Sequence, residues 1–357
     1  MQCDVVRIVA SLLDEACSSL GGGRGRYSTA DGDFPVALVN RMKPDNFLRR
    51  DQVEMVDMTT SGACSGAANI LIKDFVVISW NACGMEAGAV NDVTKLLEED
   101  NRSWDAIMLQ EGPFSQHESY SIVDGGHALF LGSSGLGKRS VGILLHRKWI
   151  QREAKLRFKS VGVRVASLDI ELDKLRLRLT SAHLPHMEYS RDTYEAELLV
   201  LEGILESARR DHRMNVIGVD ANAVIGARRE GESANIVGEY TFGQRNERGH
   251  LLVPWMHYMN TAAVSTMHPT TAAQIWTHEL WGNGVRRQID FIFMDEIRRG
   301  LVLDTGIVEE LAGKSDHRAI SARFSVQQYA SARSKRARIK VGWRPALNTE
   351  GTPAVFH

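Results

Sequence analysis

Eight residues that can bind metal ions or move protons occur beside short apolar runs that are typical of β-strands. Four runs end in such a residue, one segment has an Asp at its start, and one has an Asp-His pair in a loop before a strand. In chain order the residues are Asn81, Glu111, His183, Asp220, Asn222, Asp290, Asp316 and His317. Loops at strand ends are where a rigid scaffold meets its ligands. We therefore expect these distant segments to form one site.

The oxygen and amide groups in this set are suited to a metal ion and an anionic substrate. Glu111, Asp220 and Asp316 are hard oxygen donors, which favour Mg²⁺ or Mn²⁺ over Zn²⁺. Asn81 and Asn222 can orient a water molecule or bind a phosphate oxygen without adding negative charge. Together these types point to metal-assisted hydrolysis of a phosphate ester.

The two imidazoles in the set can transfer protons near neutral pH. His183 and His317 can each donate to a phosphate or exchange a proton with water. Asp290 can hold His317 in one tautomer, as the carboxylate partner of a catalytic imidazole does. The segments contain no obvious nucleophile elbow, so a water molecule is the expected attacker.

The elements that must position these residues alternate between β-branched runs and helix-like stretches from Phe75 onward. Predicted strands include Phe75–Trp80, Gly162–Leu172 and Ile289–Met294, and Asp192–Arg210 has the apolar spacing of a long amphipathic helix. Several neighbouring strands have no helix between them, which favours mixed or antiparallel sheets. The sequence predicts an α/β or α+β domain.

The chain divides into three parts by composition. Residues 1–73 form a lead with one helix followed by a poorly structured stretch, residues 74–326 form the dense domain, and residues 327–357 form a basic tail. The cations of the tail are Arg333, Lys335, Arg336, Arg338, Lys340 and Arg344.

Composition excludes several classes of protein. The 357 residues carry 43 Lys and Arg against 44 Asp and Glu, a net charge of −1, which excludes a histone-like binder. Four scattered cysteines do not make a disulfide scaffold or a zinc knuckle. The apolar runs are far shorter than a membrane span, and Asp4 and Arg7 interrupt the N-terminal run. We expect an intracellular protein with no membrane partner.

The ordered motifs resemble those of the endonuclease/exonuclease/phosphatase superfamily, over about residues 74–325. The matching segments are Trp80-Asn81-Ala82-Cys83-Gly84, Leu109-Gln110-Glu111, Gly218-Val219-Asp220-Ala221-Asn222-Ala223, Ile289-Asp290-Phe291 and Ser315-Asp316-His317. The resemblance implies a four-layer α/β sandwich with two packed β-sheets, the DNase I-like fold. It also implies Mg²⁺, with Mn²⁺ as a substitute, bound mainly by Glu111 with Asn81 and Asp316 nearby.

The resemblance also implies roles for the remaining residues. Asp220 and Asn222 align the attacking water and the phosphate, and Asp290 supports His317. Either Asp220 or the Asp290–His317 pair takes the proton from water. His183 donates to the leaving oxygen or contacts the phosphate, at a position where many related enzymes carry Tyr.

Within this superfamily the chain is most similar to endonuclease domains of non-LTR retrotransposons. The matching segments are Arg245-Asn246-Glu247-Arg248-Gly249, Ile275-Trp276-Thr277, Arg286-Arg287-Gln288-Ile289-Asp290 and Val341-Gly342-Trp343-Arg344-Pro345. Ile275 stands where such domains often have a phosphate-contacting Thr, so Thr277 is the expected substitute, and Arg287 is a further expected substrate contact. This resemblance implies a nuclease that nicks DNA, with a nuclear site of action.

Two other functions remain open at this stage. The same chemistry could act on RNA, a lipid or another small phosphoester. The inositol phosphatase branch is disfavoured because its usual Cys-Asp-Arg sequence is replaced here by Gln288-Ile289-Asp290-Phe291. A decayed domain that binds nucleic acid without cutting it is the third hypothesis, although no core residue of the set is missing.

Overall fold

The computed structural model describes residues 73–134, 139–271, 274–280, 284–327 and 329. The N-terminal helix and lead that the sequence predicts, and nearly all of the basic tail, lie outside the described residues.

Within the described part of the chain, fifteen strands form a seven-stranded sheet, a six-stranded sheet and a two-stranded ribbon. In chain order they are β1 Asp74–Asn81, β2 Ala106–Gly112, β3 Ser119–Ile122, β4 Ala128–Leu131, β5 Ser140–Leu145, β6 Lys155–Val161, β7 Val165–Leu172, β8 Leu175–His183, β9 Met214–Asp220, β10 Thr261–Ala263, β11 His278–Glu279, β12 Arg286–Arg287, β13 Asp290–Asp295, β14 Val302–Ile307 and β15 Ile320–Ser325. The strand orders are β14-β15-β1-β2-β5-β4-β3, β10-β13-β9-β8-β7-β6 and β11-β12. Both large sheets mix parallel and antiparallel pairs, as the sequence predicts.

Four α-helices lie between these strands in the described residues. They are α1 Ala89–Glu99, α2 Arg147–Gln151, α3 Arg191–Arg210 and α4 Glu247–Tyr258. Short 3₁₀ segments occupy Asp124–Gly126, Val264–Thr266, Glu296–Leu301 and Glu309–Leu311. None of the described helices has the length and apolar character needed to cross a bilayer.

The main core lies between the two large sheets. Alternate residues of β1, such as Phe75 and Val77, point inward and pack in one cluster with Leu177 and Leu179 of β8. The opposite face of β1 carries Ile78, which packs against α1 on the outside of the seven-stranded sheet. This alternation follows from the two-residue period of a strand.

Helices α3 and α4 cover the outer face of the six-stranded sheet. The predicted apolar face of α3 is buried, and its residues are Leu198, Leu201, Ile204, Leu205 and Ala208. The Ser190 hydroxyl caps this helix by accepting a hydrogen bond from the Thr193 amide at 3.2 Å. The layers are therefore helix, sheet, sheet and helix, which confirms the four-layer sandwich.

A buried polar contact links the two sheets. The side-chain amide of Gln110 in β2 donates to the Ser181 hydroxyl of β8 at 3.0 Å and to the Gly218 carbonyl of β9 at 3.2 Å. The sheets approach so closely here that a Cβ atom on Gly218 would lie 2.5 Å from the Ser79 hydroxyl oxygen. The contact fixes the ends of β1, β2, β8 and β9 relative to one another.

Candidate active site

Strand register brings the predicted residues to one edge of the sandwich. Strands β8 and β9 run parallel and pair His183 with Asp220, whereas β13 runs antiparallel to β9 and pairs Asp290 with the same Asp220. In the facing sheet, β1 and β2 are parallel and end together at Asn81 and Gln110. The carboxyl ends of four strands and the start of β13 therefore lie together.

Asp220 is at the centre of this edge and is 1% exposed. Its Oδ2 accepts a hydrogen bond from the Asn81 side-chain amide at 2.8 Å, across the two sheets. Its Oδ1 accepts from the Asn222 backbone amide at 3.0 Å. Asn222 is held in turn by its side-chain amide, which donates to the Leu184 carbonyl at 2.9 Å. Both asparagines thus orient the Asp220 carboxylate.

Asp290 and His317 form a buried pair. His317 Nδ1 lies 2.9 Å from Asp290 Oδ2 and 3.1 Å from Oδ1, so the imidazole donates its Nδ1 proton to the carboxylate. Burial is the largest single effect and lowers the pKa of His317, but the charge and hydrogen bond of Asp290, together with the charges of Asp220 and Asp316, raise that pKa to about 10. Ligand atoms of Asp220, Asp290 and His317 all lie within 4.8 Å of one another.

Thr277 supports this pair from behind. Its hydroxyl oxygen accepts hydrogen bonds from the backbone amides of Ile289 at 3.0 Å and Asp290 at 3.1 Å, and it also hydrogen-bonds the Asp290 side chain. Thr277 is 2% exposed, so its hydroxyl is fully engaged within the protein. Thr277 therefore supports Asp290, and the phosphate contact that the sequence predicts for it stays a prediction.

Glu111 and Asp316 approach a common point near Cys83. Burial, the charge and hydrogen bond of Asp316 and then the charge of Glu111 raise the pKa of the Cys83 thiol, so both carboxylates lie close to it. No described residue donates a hydrogen bond to the Glu111 side chain. Two carboxylates at an open edge, one without a donor, fit a hard divalent cation that completes its shell with water.

Local backbone conformation also marks this edge. Cys83, Glu111 and Asn222 have φ angles of 44°, 47° and 47°, in the left-handed region that non-glycine residues rarely adopt. Such conformations persist where the surrounding structure holds them, and they are common at functional sites. Here Glu111 lies one residue before the end of β2, and Cys83 and Asn222 each lie two residues after the ends of β1 and β9.

His183 lies between two carboxylates. Its Nε2 is 3.6 Å from Glu111 Oε1 and 3.6 Å from Asp220 Oδ2, and its side chain is 17% exposed. Burial lowers the pKa of His183, and the charges of Asp220 and Glu111 only partly oppose this effect. The imidazole can therefore reach both the expected metal side and the Asp220 side of the edge.

Two further residues near the edge, a cation and a potential metal ligand, do not belong to the eight residues that open the sequence analysis. Arg287 lies exposed on β12, where its carbonyl accepts from the Thr277 amide at 2.8 Å. His278, which sequence reasoning missed, pairs across the chain with His317. Its position depends on pairing between β11 and the loop at 316–318, for which the sequence carries no local signal.

Comparison with known proteins identifies the fold. No family model and no curated protein sequence matches the chain. Among solved structures, the AP endonuclease LMAP from Leishmania major matches with a TM-score of 0.50 and 12% identity, over 71% of this chain and 88% of that chain. The 3′ phosphatase NExo from Neisseria, bound to a product DNA hairpin, has a TM-score of 0.49 and 13% identity, over 70% and 99%.

A further similar structure is the endonuclease domain of TRAS1, a telomere-specific non-LTR retrotransposon. It has a TM-score of 0.45 and 17% identity, over 71% of this chain and 99% of that chain. The likeness to the LMAP structure shows a DNase I-like fold, which confirms the fold that the resemblance implies.

Proposed function

We propose that the chain is a divalent-metal-dependent phosphodiesterase that nicks DNA as an endonuclease. The observation that carries the proposal is the meeting of Glu111, Asp220, Asp290, Asp316 and His317 at one edge of the sandwich. This combination supplies metal ligands, a proton acceptor and a held imidazole in one place. Each of the three can accelerate the hydrolysis of a phosphodiester by water.

Glu111 and Asp316 would hold the cation. A bound Mg²⁺ or Mn²⁺ would polarise a phosphate oxygen and stabilise charge on the leaving oxygen. Asp220 accepts the proton of the attacking water while the new phosphorus–oxygen bond forms and the bond to the leaving oxygen breaks. The hydrogen bonds from Asn81 and Asn222 keep the Asp220 carboxylate in one orientation for this step.

His317 contacts the phosphate in this mechanism. Because Nδ1 of His317 is bound to Asp290, its Nε2 is the nitrogen left to face the substrate. His183, between Glu111 and Asp220, is placed to donate a hydrogen bond to the phosphate or to the leaving oxygen. Such preorganised donors stabilise the charge that develops in the transition state.

DNA is the proposed substrate for three reasons. The sequence motifs are similar to those of retrotransposon endonuclease domains, and the same fold is found in an AP endonuclease. The exposed cation Arg287 on β12 also lies beside the edge, paired with His278, whereas its neighbour Arg286 forms an ion pair with Glu279 at 2.9 Å. Cations at the rim of a site favour a polyanionic substrate through phosphate contacts.

Nicking of supercoiled plasmid tests the proposal. We expect the purified chain to convert supercoiled to open-circular DNA with Mg²⁺ or Mn²⁺, and not with EDTA. Asp220→Asn, which keeps the shape of the side chain, should lower kcat about 10²- to 10⁴-fold. The exposed Asp304→Asn is the matched control and should nick at the wild-type rate.

The other outcomes decide between the alternative functions. Metal-dependent hydrolysis of RNA or of bis(4-nitrophenyl) phosphate without nicking would keep the chemistry and contradict the DNA substrate. A loss below tenfold in Asp220→Asn would contradict its role as proton acceptor. A folded protein that binds DNA but hydrolyses none of these esters would support the decayed domain.

A further inference from the structure

A second group of potential metal ligands lies beside the Asp290–His317 pair. It consists of His278, Asp316 and His317, whose ligand atoms all lie within 4.8 Å of one another. The group differs from the Glu111 side of the edge because two of its three members are imidazoles. His278 has no role in the proposed hydrolysis.

Backbone pairing fixes the position of His278. Residue 278 forms an antiparallel bridge with residue 317. On either side, the Glu279 amide donates to the Asp316 carbonyl at 3.0 Å and the Arg318 amide donates to the Thr277 carbonyl at 2.6 Å. The two imidazole rings consequently lie side by side, with centroids 4.5 Å apart and planes tilted by 51°.

The Nδ1 atom of His278 has no hydrogen bond that accounts for its burial. The residue is 8% exposed, and its Nδ1 is buried without a hydrogen-bond partner among the described residues. Its Nε2 lies 3.8 Å from Asp316 Oδ2, which is longer than a hydrogen bond. Buried polar atoms normally have partners, so an unpartnered imidazole beside a carboxylate indicates a missing ligand.

His317 is prepared for metal binding by its other nitrogen. A metal-bound histidine usually donates its remaining N–H to a carboxylate, which orients the ring and raises its basicity. The hydrogen bond from His317 Nδ1 to Asp290 at 2.9 Å provides this partner, and Nε2 binds the metal with release of its proton to solvent. Tetrahedral Zn²⁺ with bonds of about 2.0 Å needs ligand atoms about 3.3 Å apart, which small side-chain rotations within this group can reach.

We propose that His278, Asp316 and His317 form a Zn²⁺ site, with water as the fourth ligand. Two nitrogen donors and one carboxylate are the donor types that zinc prefers over magnesium. Bound Zn²⁺ occupies the nitrogen that His317 would offer to the phosphate and shares Asp316 with the catalytic cation. The site is therefore inhibitory, and this consequence alone rests on the proposed function.

Another cluster of the same residue types provides the contrast. Glu98, His127 and His146 also place ligand atoms within 4.8 Å of one another, on the outside of the seven-stranded sheet. However, Nδ1 of His127 accepts from the Arg147 amide and Nδ1 of His146 accepts from the Lys148 amide, each at 3.1 Å. A neutral imidazole that accepts at Nδ1 carries its proton on Nε2, so neither ring has a lone pair for a metal.

Metal binding is measured directly on the full chain with Mg²⁺ in excess. Calorimetric titration with Zn²⁺, and the visible absorption of tetrahedral Co²⁺, should show one site in the wild type. His278→Gln should weaken Zn²⁺ binding at least tenfold, and His278→Cys, which restores a zinc ligand, should recover it. His146→Asn, in the contrasting cluster, should bind Zn²⁺ as the wild type does.

Two results would overturn the proposal: a wild type that binds no Zn²⁺, or a His278→Gln protein that keeps its far-ultraviolet circular dichroism and binds Zn²⁺ as tightly as the wild type. Inhibition is read separately, as the ratio of nicking rates with and without Zn²⁺ for each protein. The rate with Zn²⁺ should be at most one tenth of the rate without Zn²⁺ in the wild type, and the two rates should be nearly equal in His278→Gln. If the wild type nicks no DNA with Mg²⁺, the proposed function fails, while the binding titration still tests the site.

Discussion

The Thr277 hydroxyl group supports Asp290 from behind. Thr277 accepts two backbone amide hydrogen bonds and bonds the Asp290 side chain, all out of contact with solvent. Loss of that hydroxyl leaves two buried N–H groups without acceptors and lets the carboxylate turn away from His317. Such supporting contacts are typically worth 10- to 100-fold in activity.

Replacement of Thr277 by Val, which has the same shape, tests this role. We expect Thr277→Val to lower kcat by about 10- to 100-fold and the free energy of unfolding by about 2 kcal/mol. Thr277→Ser keeps the hydroxyl and should recover most of the activity. Steady-state nicking rates and urea unfolding of both variants provide the measurements. Equal rates for Val and wild type would show that Asp290 is held without Thr277.

At this scale the sequence predicts residue types well and contacts poorly. Glu111, Asp220 and Asp290 are recognisable because each adjoins an apolar run, and strand register alone brings the last two together. The roles of Thr277 and His278 depend on how a two-residue strand pairs with a distant loop. No local pattern encodes that pairing, so the sequence indicates neither the support that Thr277 gives to Asp290 nor the position of His278.

Strand β9 contains the glycine that allows the two sheets to meet. A Cβ atom on Gly218 would lie 2.5 Å from Ser79 Oγ, 2.8 Å from Ser79 Cβ and 2.7 Å from the Met108 methyl group. The methionine can move, but the Ser79 Cβ is attached directly to the backbone of β1. Added volume would therefore separate the sheets immediately behind Asp220.

A pair of glycine substitutions separates this packing effect from backbone entropy. We expect Gly218→Ala to lower the free energy of unfolding by about 1–3 kcal/mol through overpacking, and to reduce nicking because Asp220 lies two residues along. Gly203, in α3, has open space around the position of a Cβ. Gly203→Ala should instead raise stability by about 0.5–1 kcal/mol. Urea midpoints that shift in the same direction for both variants would contradict this account.

Helix α2 begins at an imidazole that stays neutral in the folded protein. His146 caps the helix through its Nδ1 and packs edge-on against Trp104. Burial, followed by the nearby charges of Lys148, His127 and Arg147, lowers the pKa of His146 to about 3. In the unfolded chain the same group titrates near 6.5.

The sign of the pH effect follows from this difference. Below pH 6.5 the unfolded chain binds a proton that folded His146 does not bind, so stability falls as the pH decreases toward 3. Between pH 7.5 and 5.5 the loss from this group is about 1 kcal/mol after allowance for solvent screening. His146→Asn keeps a capping side chain without the titration. Its Tm should fall less than that of the wild type over the same pH interval, as measured by thermal unfolding.

Elements with regular patterns were predictable, and those with mixed patterns were not. Helix α3 shows a clear apolar face, and the structure confirms it. Helix α4 has Pro254 in its interior and a buried Arg248, whose guanidinium lies 4.7 Å from the Tyr194 ring centre. A buried cation and an internal proline weaken the helical pattern in the sequence, so this helix depends on tertiary packing for its stability.

At the scale of the whole molecule, residues next to the predicted domain end at residue 326 pack against the start of the domain and the sheet. The amides of Val326 and Gln327 donate to the Lys73 carbonyl at 2.9 and 3.3 Å. Tyr329 is 6% exposed, and its hydroxyl donates to the Arg176 carbonyl at 3.3 Å or the His212 carbonyl at 3.2 Å. These carbonyls lie near the starts of β8 and β9, whereas Asp220 lies at the far end of β9.

This geometry separates stability from catalysis in a shortened chain. We expect the free energy of unfolding of a fragment of residues 73–326 to be about 2–3 kcal/mol lower than that of a fragment of residues 73–330, because the shorter fragment lacks the buried Tyr329 ring. The urea midpoint of the shorter fragment should be lower accordingly. Full-length Tyr329→Ala should show a similar loss. Because the ring packs at the opposite end of the sheet from Asp220, kcat at a temperature where each protein is folded should be the same. Equal urea midpoints for the two fragments would place the end of the stable domain at residue 326. A lower kcat in the shorter fragment or in Tyr329→Ala would show that the packing of Tyr329 and the site are coupled through β8 and β9.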